Sequence, residues 1–408
     1  MRSILFIGLV WPEPTSSAAG TRILQLLNLF REAGDRVTFA CAAARSPHSY
    51  PLMLLHVQEV DIQLNDSSFD AFVQELNPDI VVFDRFMVEE QYGWRVRCSC
   101  PSALTMLDTE DLHFLRAARQ EAVKKNRPIV YHSDLAKREI AAILRCDLSL
   151  IIAQQELRLL SELFHIPTGL LYYLPFLEEP ITDATARAWN IFENRKHLLF
   201  IGNFMHEPNW HTVQYLKMRI WPLLKERLPD AELHIYGSYA TEKVYQLQQA
   251  KDRFYIKGRA GDAKQTMAHY RLLLAPIQFG AGAKGKFVDA MQSGTPSVTT
   301  TTGAESMMED GTWGGVVEDR IDAFVERAAH LYRTKDVWEG AQQEGRRLLN
   351  LRYSKDLYQE AFLQHLNNLQ RSLVTHRQDH FIGQILQTQQ LNSSMYMSRW
   401  IEEKNKYR

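Results

Sequence analysis

Cysteine is scarce in this chain. Four residues, Cys41, Cys98, Cys100 and Cys146, in a length of 408 are too few for a disulfide framework. Cys98-Ser-Cys100 also lacks the second pair that a structural zinc site needs. Free thiols in a reducing cytosol are the reading that follows. An excess of one charge is missing too. The 47 Lys and Arg against 48 Asp and Glu leave a net charge of −1, so the overall balance offers no hold for nucleic acid, and any charge-based function is local. Apolar runs are short, and none reaches the length of a membrane span. One run, ILFIGLVW at 4–11, stands behind Arg2 and ahead of SSAAG as a secretory leader would. It is read here as a buried first strand, because a helical pattern follows it.

What is present is a repeated grammar. A chain this long exceeds what one hydrophobic core usually organises, so two domains are expected. From Ser3 it reads strand (SILFIGLV), polar loop (WPEPTSSAAG), helix (TRILQLLNLFREA) and second strand (RVTFACA). Ile23, Leu26, Leu27 and Phe30 fall at i, i+3, i+4 and i+7, one apolar helix face, and Gly34 supplies a left-handed stop. From His197 the order returns as HLLFIG, NFMHEP, NWHTVQYLKMRI and AELHIYG. Two such starts imply two doubly wound parallel-sheet domains. The boundaries are read as 1–178 for the first domain, 179–196 for a linker, 197–370 for the second domain and 371–408 for a helical tail.

In open parallel sheets, ligands sit where strand carboxyl ends lead into helix N-termini. That rule selects the loops Thr15 to Gly20, Asn203 to Asn209 and Phe279 to Lys286. The third, FGAGAKGKFVDAMQSGTP, sets Lys284 and Lys286 at the start of a helix stopped by Gly294 and Pro296. A cation there opposes the helix dipole by roughly 0.3–1 kcal/mol, and a bound anion reverses the penalty. A Gly/Ala loop, a helix N-terminus and two ammonium groups make a phosphate or diphosphate site that needs no metal. Asp289, one turn on, is placed to accept hydrogen bonds from vicinal hydroxyls. Together they suit a nucleoside diphosphate. Neither the G-x-x-x-x-G-K-[ST] order nor a G-x-G-x-x-G after the first strand is present, which disfavours a P-loop and a nicotinamide site.

FIGNFMHEPN, YGS, IKGRAGD and LLLAPIQFGAGAKGKFVDAMQSGTPSVTTTTGAE, in that order, resemble the donor domain of GT-B glycosyltransferases of the large retaining group called group one or family four. WPEPTSSAAGTRILQLL is similar to that family's first loop and helix. The resemblance implies a GT-B fold, two Rossmann-like domains facing a cleft, with a nucleotide-sugar donor as substrate and no cofactor or metal. It implies Lys284 and Lys286 on the diphosphate, Asp289 on the ribose, and Gly202, Asn203, Arg259, Gly303, Ala304 and Glu305 around the donor, with Gly20 in the first-domain loop facing it. Two departures stand out. Ala281 occupies the place of the first acid of the family's E-x7-E element, and Asn203 and His206 stand where a basic pair usually follows Gly202.

On the acceptor side, LDTEDLHFLRAARQEAVKKNRP crowds Asp108, Glu110, Asp111 and His113 ahead of a basic helix carrying Arg116, Arg119, Lys124, Lys125 and Arg127. The acids read as a helix start rather than a metal site. The resemblance brings His113 to the cleft as a catalytic candidate beside Lys284 and Lys286. The basic residues Arg116 to Arg127 are either a solvated face or a contact with a lipid-linked acceptor or an anionic membrane surface. His165, Trp94, Tyr172 and Tyr173 are read as core. The expectation is a cytoplasmic, metal-independent glycosyltransferase, with peripheral contact at the inner membrane face as an extension. It acts on a glycan, lipid-linked or small acceptor, and has no nucleic-acid partner. A nucleotide-sugar epimerase of the same architecture and a catalytically silent nucleotide-sugar or glycan binder are its rivals.

Overall fold

Strands apolar on both faces can only be central strands of a covered sheet. SILFIG, IVVFD and LTMLD are such strands, buried at every position, and they lie side by side. The computed structural model describes residues 1–405, excepting the side chains of 389–394. It contains two parallel sheets. The first has the order β3-β2-β1-β4-β5-β6-β7, from β1 (Ser3–Gly8), β2 (Arg36–Cys41), β3 (Gln58–Asp61), β4 (Ile80–Asp84), β5 (Leu104–Asp108), β6 (Leu148–Ile151) and β7 (Leu171–Tyr173). The second has the order β10-β9-β8-β11-β12-β13, from β8 (Lys196–Ile201), β9 (Leu233–Tyr236), β10 (Phe254–Gly258), β11 (Tyr270–Ala275), β12 (Ser297–Thr299) and β13 (Gly315–Val317).

Each domain's opening strand is central. β1 pairs Ile4 with Val37 on one side and with Ile80 on the other, and β8 pairs Leu198 with Leu233 and with Leu272. The strand order therefore reverses at β1/β4 and at β8/β11, and the carboxyl ends of these strands open crevices. Ser17 caps the helix Ala18–Glu32 by accepting from the Gly20 amide at 3.1 Å. The predicted face of that helix, Ile23, Leu26, Leu27 and Phe30, is buried.

The stretch around Pro222 is irregular as its sequence suggests, but the irregularity sits upstream. A π turn at Leu216–Ile220 divides helix Glu207–Tyr215 from helix Trp221–Arg227, and it accommodates the missing proline N–H. The segment between the sheets is tied down by polar contacts. Trp189 Nε1 donates to Gln292 O at 3.0 Å, and the fully buried Arg195 donates to Thr295 Oγ1 and Ser293 O, both at 2.7 Å.

Residues 359–370, assigned to the second domain by sequence, pack on the first. Helix Gln359–Arg371 puts Phe362, Leu366 and Leu369 into the core of Ile4, Phe6 and Phe30. Burial of a large apolar side chain stabilises by about 1.5–3 kcal/mol, and three such side chains hold the returning helix. Helices Leu373–Asp379 and Phe381–Asn405 continue along the first domain, and the last three residues of the 371–408 tail lie outside the described residues. Trp94 is buried and Tyr172 packs on Phe362 as expected for core, whereas His165 is exposed in a left-handed turn. No helix among the described residues is long and apolar enough to cross a membrane.

Candidate functional site

The two crevices face each other across a cleft of about 230 Å³. One wall comes from the second domain: Gly202 and Asn203 after β8, Asn209 on the next helix, and residues 279–289 after β11. Lys284 is the N-cap of helix Gly285–Gln292, whose first turn carries no acid. Its Nζ is buried without a hydrogen-bond partner, and burial pushes it down to about 8, against the pull of Glu305. Lys286 Nζ donates to Asn209 Oδ1 at 2.7 Å and lies 4.3 Å from the Phe200 ring centroid. Burial, with Lys284 beside it, pushes it down to about 7. Asp289 faces the same cleft, with Lys264 Nζ 3.9 Å away, and burial pushes its carboxyl up to about 7. Two poorly neutralised cations at a helix N-terminus, with a half-neutral acid one turn along, form a site that an anion completes.

The other wall is the first domain's. Residues 14–19 after β1 contribute to it, with Glu110, Asp111 and Arg116 after β5. Both Arg85, which follows β4, and Glu110 sit at positive φ, 72° and 62°. Non-glycine residues held in such conformations concentrate at functional sites. Beneath them Arg22, 1% exposed, pairs with the fully buried Asp108 at 2.8 Å and donates to Leu174 O and Pro175 O.

Several contacts hold the walls together. Arg119 clasps Glu305 through Nη1 at 2.5 Å and Nη2 at 2.7 Å, and donates to Gly280 O at 2.8 Å. The Gly282 amide donates to Glu156 Oε1 at 2.7 Å, and Tyr239 Oη donates to Glu13 Oε2 at 2.7 Å. A Cβ on Gly282 would come within 2.7 Å of Asp111 Cβ, and its φ of +63° disfavours side chains in any case. Ala281 lines the cleft and packs against the first domain's core.

Of the residues singled out from sequence, Gly202, Asn203, Lys284, Lys286 and Asp289 meet in the cleft lining. The others stand differently. Gly20 is pressed against the Glu13 backbone, where a Cβ would lie 2.4 Å from Glu13 C, so it shapes the loop from behind. Arg259 bridges to Thr15 Oγ1 at 2.6 Å on the exposed rim. The Gly303 and Ala304 amides are already used by Thr300 Oγ1 and Thr300 O, and Glu305 is held by Arg119. His113 does not line the cleft. It starts helix His113–Lys125, edge-on to Phe86, with Nε2 3.6 Å from Asp111 Oδ1, and burial drives it down to about 4. The cations Arg116 and Arg119 turn to Asp111 and Glu305, while Lys124, Lys125 and Arg127 meet Glu207 and Glu121.

Glu110, Asp111 and Arg116 are lining residues that the sequence did not assign to the donor site, and His206 and Asn209 line it from the selected loop Asn203 to Asn209. Asn209 had a signal, since NFMHEPN marks the loop that carries it. Glu110 and Asp111 had only their place in an acidic segment that reads equally well as a helix start.

Several solved structures share the whole two-domain arrangement. A TarM variant of S. aureus, solved with fondaparinux, alpha-GlcNAc-glycerol and UDP, has a TM-score of 0.68 at 10% identity, over 91% of this chain and 100% of its own. The fold is GT-B. Sucrose-phosphate synthase of Thermosynechococcus elongatus matches this GT-B chain with a TM-score of 0.66 at 14% identity, over 90% and 99% of the two chains. HepE of Anabaena, in complex with UDP and glucose, matches with 0.64 at 15% identity, over 90% and 100%. Residues 195–334 match the family model for glycosyl transferases group 1. That segment covers β8 to the helix after β13 and contains both lysines and Asp289. No curated protein matches the chain.

Proposed function

We propose that this protein is a glycosyltransferase that moves a sugar from a nucleotide-sugar donor to an acceptor hydroxyl, with retention and without a metal ion. One observation carries the reading: Lys284 and Lys286 lie together at a helix N-terminus, the Lys284 Nζ sealed from solvent, with no carboxylate of the described residues bonded to either. The donor diphosphate lies against them, and Asp289 accepts the ribose hydroxyls. As the bond from sugar C1 to the diphosphate oxygen breaks, its electron pair stays on the diphosphate, where the lysines hold it, and the acceptor oxygen bonds to C1 while its proton passes to the departing diphosphate oxygen. Preorganised cations supply that stabilisation without a metal. UDP stands in the TarM and HepE complexes named above, which supports the placement of a nucleoside diphosphate in such a cleft. The first domain holds the acceptor. Because the cations of helix His113–Lys125 are matched by acids, a membrane surface is not part of this proposal.

Thermal unfolding with UDP, GDP, ADP and NAD tests the donor site. A nucleoside diphosphate at one hundred times its Kd stabilises the chain by about 2.7 kcal/mol. Stabilisation by NAD alone, or by none of the four, refutes the reading. Turnover of nucleotide-sugar releases free nucleoside diphosphate and persists in EDTA, whereas strict dependence on a divalent ion contradicts the metal-free site. A silent binder, which Ala281 favours, releases no diphosphate.

A further inference from the structure

The acceptor wall contains one polar group that nothing in the proposed donor site uses. Glu110 lines the cleft, its backbone is held at φ +62°, and its Oε1 is buried with no hydrogen-bond partner. The groups around it are committed elsewhere. Arg85 lies 3.5 Å from Asp84, Arg22 pairs with Asp108, and Arg116 donates to Asp111 at 2.6 Å. Among its polar neighbours in the lining, Ser16 Oγ donates to Glu13 Oε2 at 2.6 Å, Thr15 Oγ1 takes a bond from Arg259, and Ser17 Oγ caps a helix. A strained, unpartnered carboxyl on the wall of a cleft is a group kept for a ligand.

Resting on the glycosyltransferase reading, we infer that Glu110 is an acceptor-binding residue, and that the acceptor it receives is an uncharged molecule bearing vicinal hydroxyls. A neutral carboxyl both donates and accepts a hydrogen bond, so it grips a hydroxyl without repelling the donor diphosphate across the cleft. It offers an acceptor phosphate no opposite charge, and the arginines around it are held by Asp84, Asp108 and Asp111. The charged groups facing Glu110 are Asp84 and Arg85 from the end of β4, Asp108 from β5, Arg22 from helix Ala18–Glu32, the adjacent Asp111 with Arg116, and Lys284, Lys286, Asp289 and His206 from the opposite wall. Burial dominates this balance, with Asp108 and Asp84 adding to it against Arg85 and Arg22, and raises the carboxyl to about 8.

The full-length protein is used with UDP-, GDP- and ADP-sugars and two acceptor sets, neutral mono- and disaccharides and the corresponding sugar phosphates. Nucleoside diphosphate release is followed from pH 6 to 9.5 at saturating donor. Neutral acceptors are expected to be preferred, and wild-type kcat/KM for the acceptor falls about tenfold per pH unit above pH 8. Glu110→Gln, which cannot ionise, shows a shallower alkaline fall than the wild type, the lysines accounting for what remains. Glu110→Ala raises acceptor KM about tenfold while stabilisation by the nucleoside diphosphate is unchanged. A preference for sugar phosphates, or identical alkaline limbs in wild type and Glu110→Gln, overturns the inference. So does a protein that binds nucleoside diphosphate yet uses neither acceptor set. A second readout needs no turnover. The 13C carboxyl resonance missing from Glu110→Gln titrates near pH 8 in the wild type, and a midpoint near 4 to 5 overturns the inference even if the donor site is real. Absence of any nucleoside diphosphate binding refutes the proposed function instead.

Discussion

Replacing Lys284 and Lys286 together with alanine abolishes stabilisation by nucleoside diphosphate and leaves the free protein as stable as the wild type or more so. The two effects have one cause. The two ammonium groups stand beside each other, Lys284 sealed with no hydrogen-bond partner and Lys286 half-buried between Asn209 and the Phe200 ring, so each costs stability in the empty cleft and recovers it from a ligand's phosphates. Loss of one preorganised charge-stabilising donor lowers kcat roughly 10²–10³-fold, and the pair is expected to cost at least that. The pH dependence has a defined sign. The folded-state values, about 8 and about 7, lie below the unfolded lysine value of about 10.4. Between pH 7 and 10 the unfolded chain therefore binds more protons than the folded one, and the wild type gains stability with rising pH relative to the double variant. Below pH 7 the full cost of the lysines is present. Ligand affinity runs the other way: it weakens above pH 8 as the lysines lose charge, and binding at pH 8 takes up protons. Calorimetry in buffers of different ionisation enthalpy measures that uptake. A double variant that unfolds more readily and still binds the ligand would show the lysines to be structural.

Arg22→Met is expected to give the largest loss of stability of any single change considered. The guanidinium and the Asp108 carboxylate are sealed from solvent, and Arg22 also satisfies Leu174 O and Pro175 O, where the chain leaves the first sheet. Removing one partner strands a buried charge, at a cost of about 3–5 kcal/mol. At roughly 2–4 °C per kcal/mol for a domain of this size, the first domain's Tm falls by roughly 6–20 °C. Arg22→Met with Asp108→Leu recovers part of that loss, because a buried pair replaced by apolar groups is often close to neutral. Thermal unfolding of the two variants decides it. A cost under about 1 kcal/mol for the single variant, or no recovery in the double, would mean that the pair is not desolvated as the structure shows.

The sequence by itself determined the parallel sheets and half of the cleft, since each of those features is contained in one strand-loop-helix unit. SILFIG and HLLFIG are apolar from their second residue on because both faces of a central strand are covered, and that shows within six residues. Lys286 and Asp289 stand three apart on one short helix, so their common direction follows from helical spacing, and Lys284 joins them from its N-cap. What only the tertiary structure decided lies between units distant in the chain. Arg119 meets Glu305 across 186 residues, Gly282 meets Glu156 across 126, and helix Gln359–Arg371 returns to a core that began at Ile4. In the DTEDLH segment, His113 packs edge-on to Phe86 outside the cleft lining, while Glu110, on a left-handed backbone, lines it. Spacing along a chain cannot report a desolvation or a φ angle set by packing, because both are properties of what the rest of the molecule places around a residue.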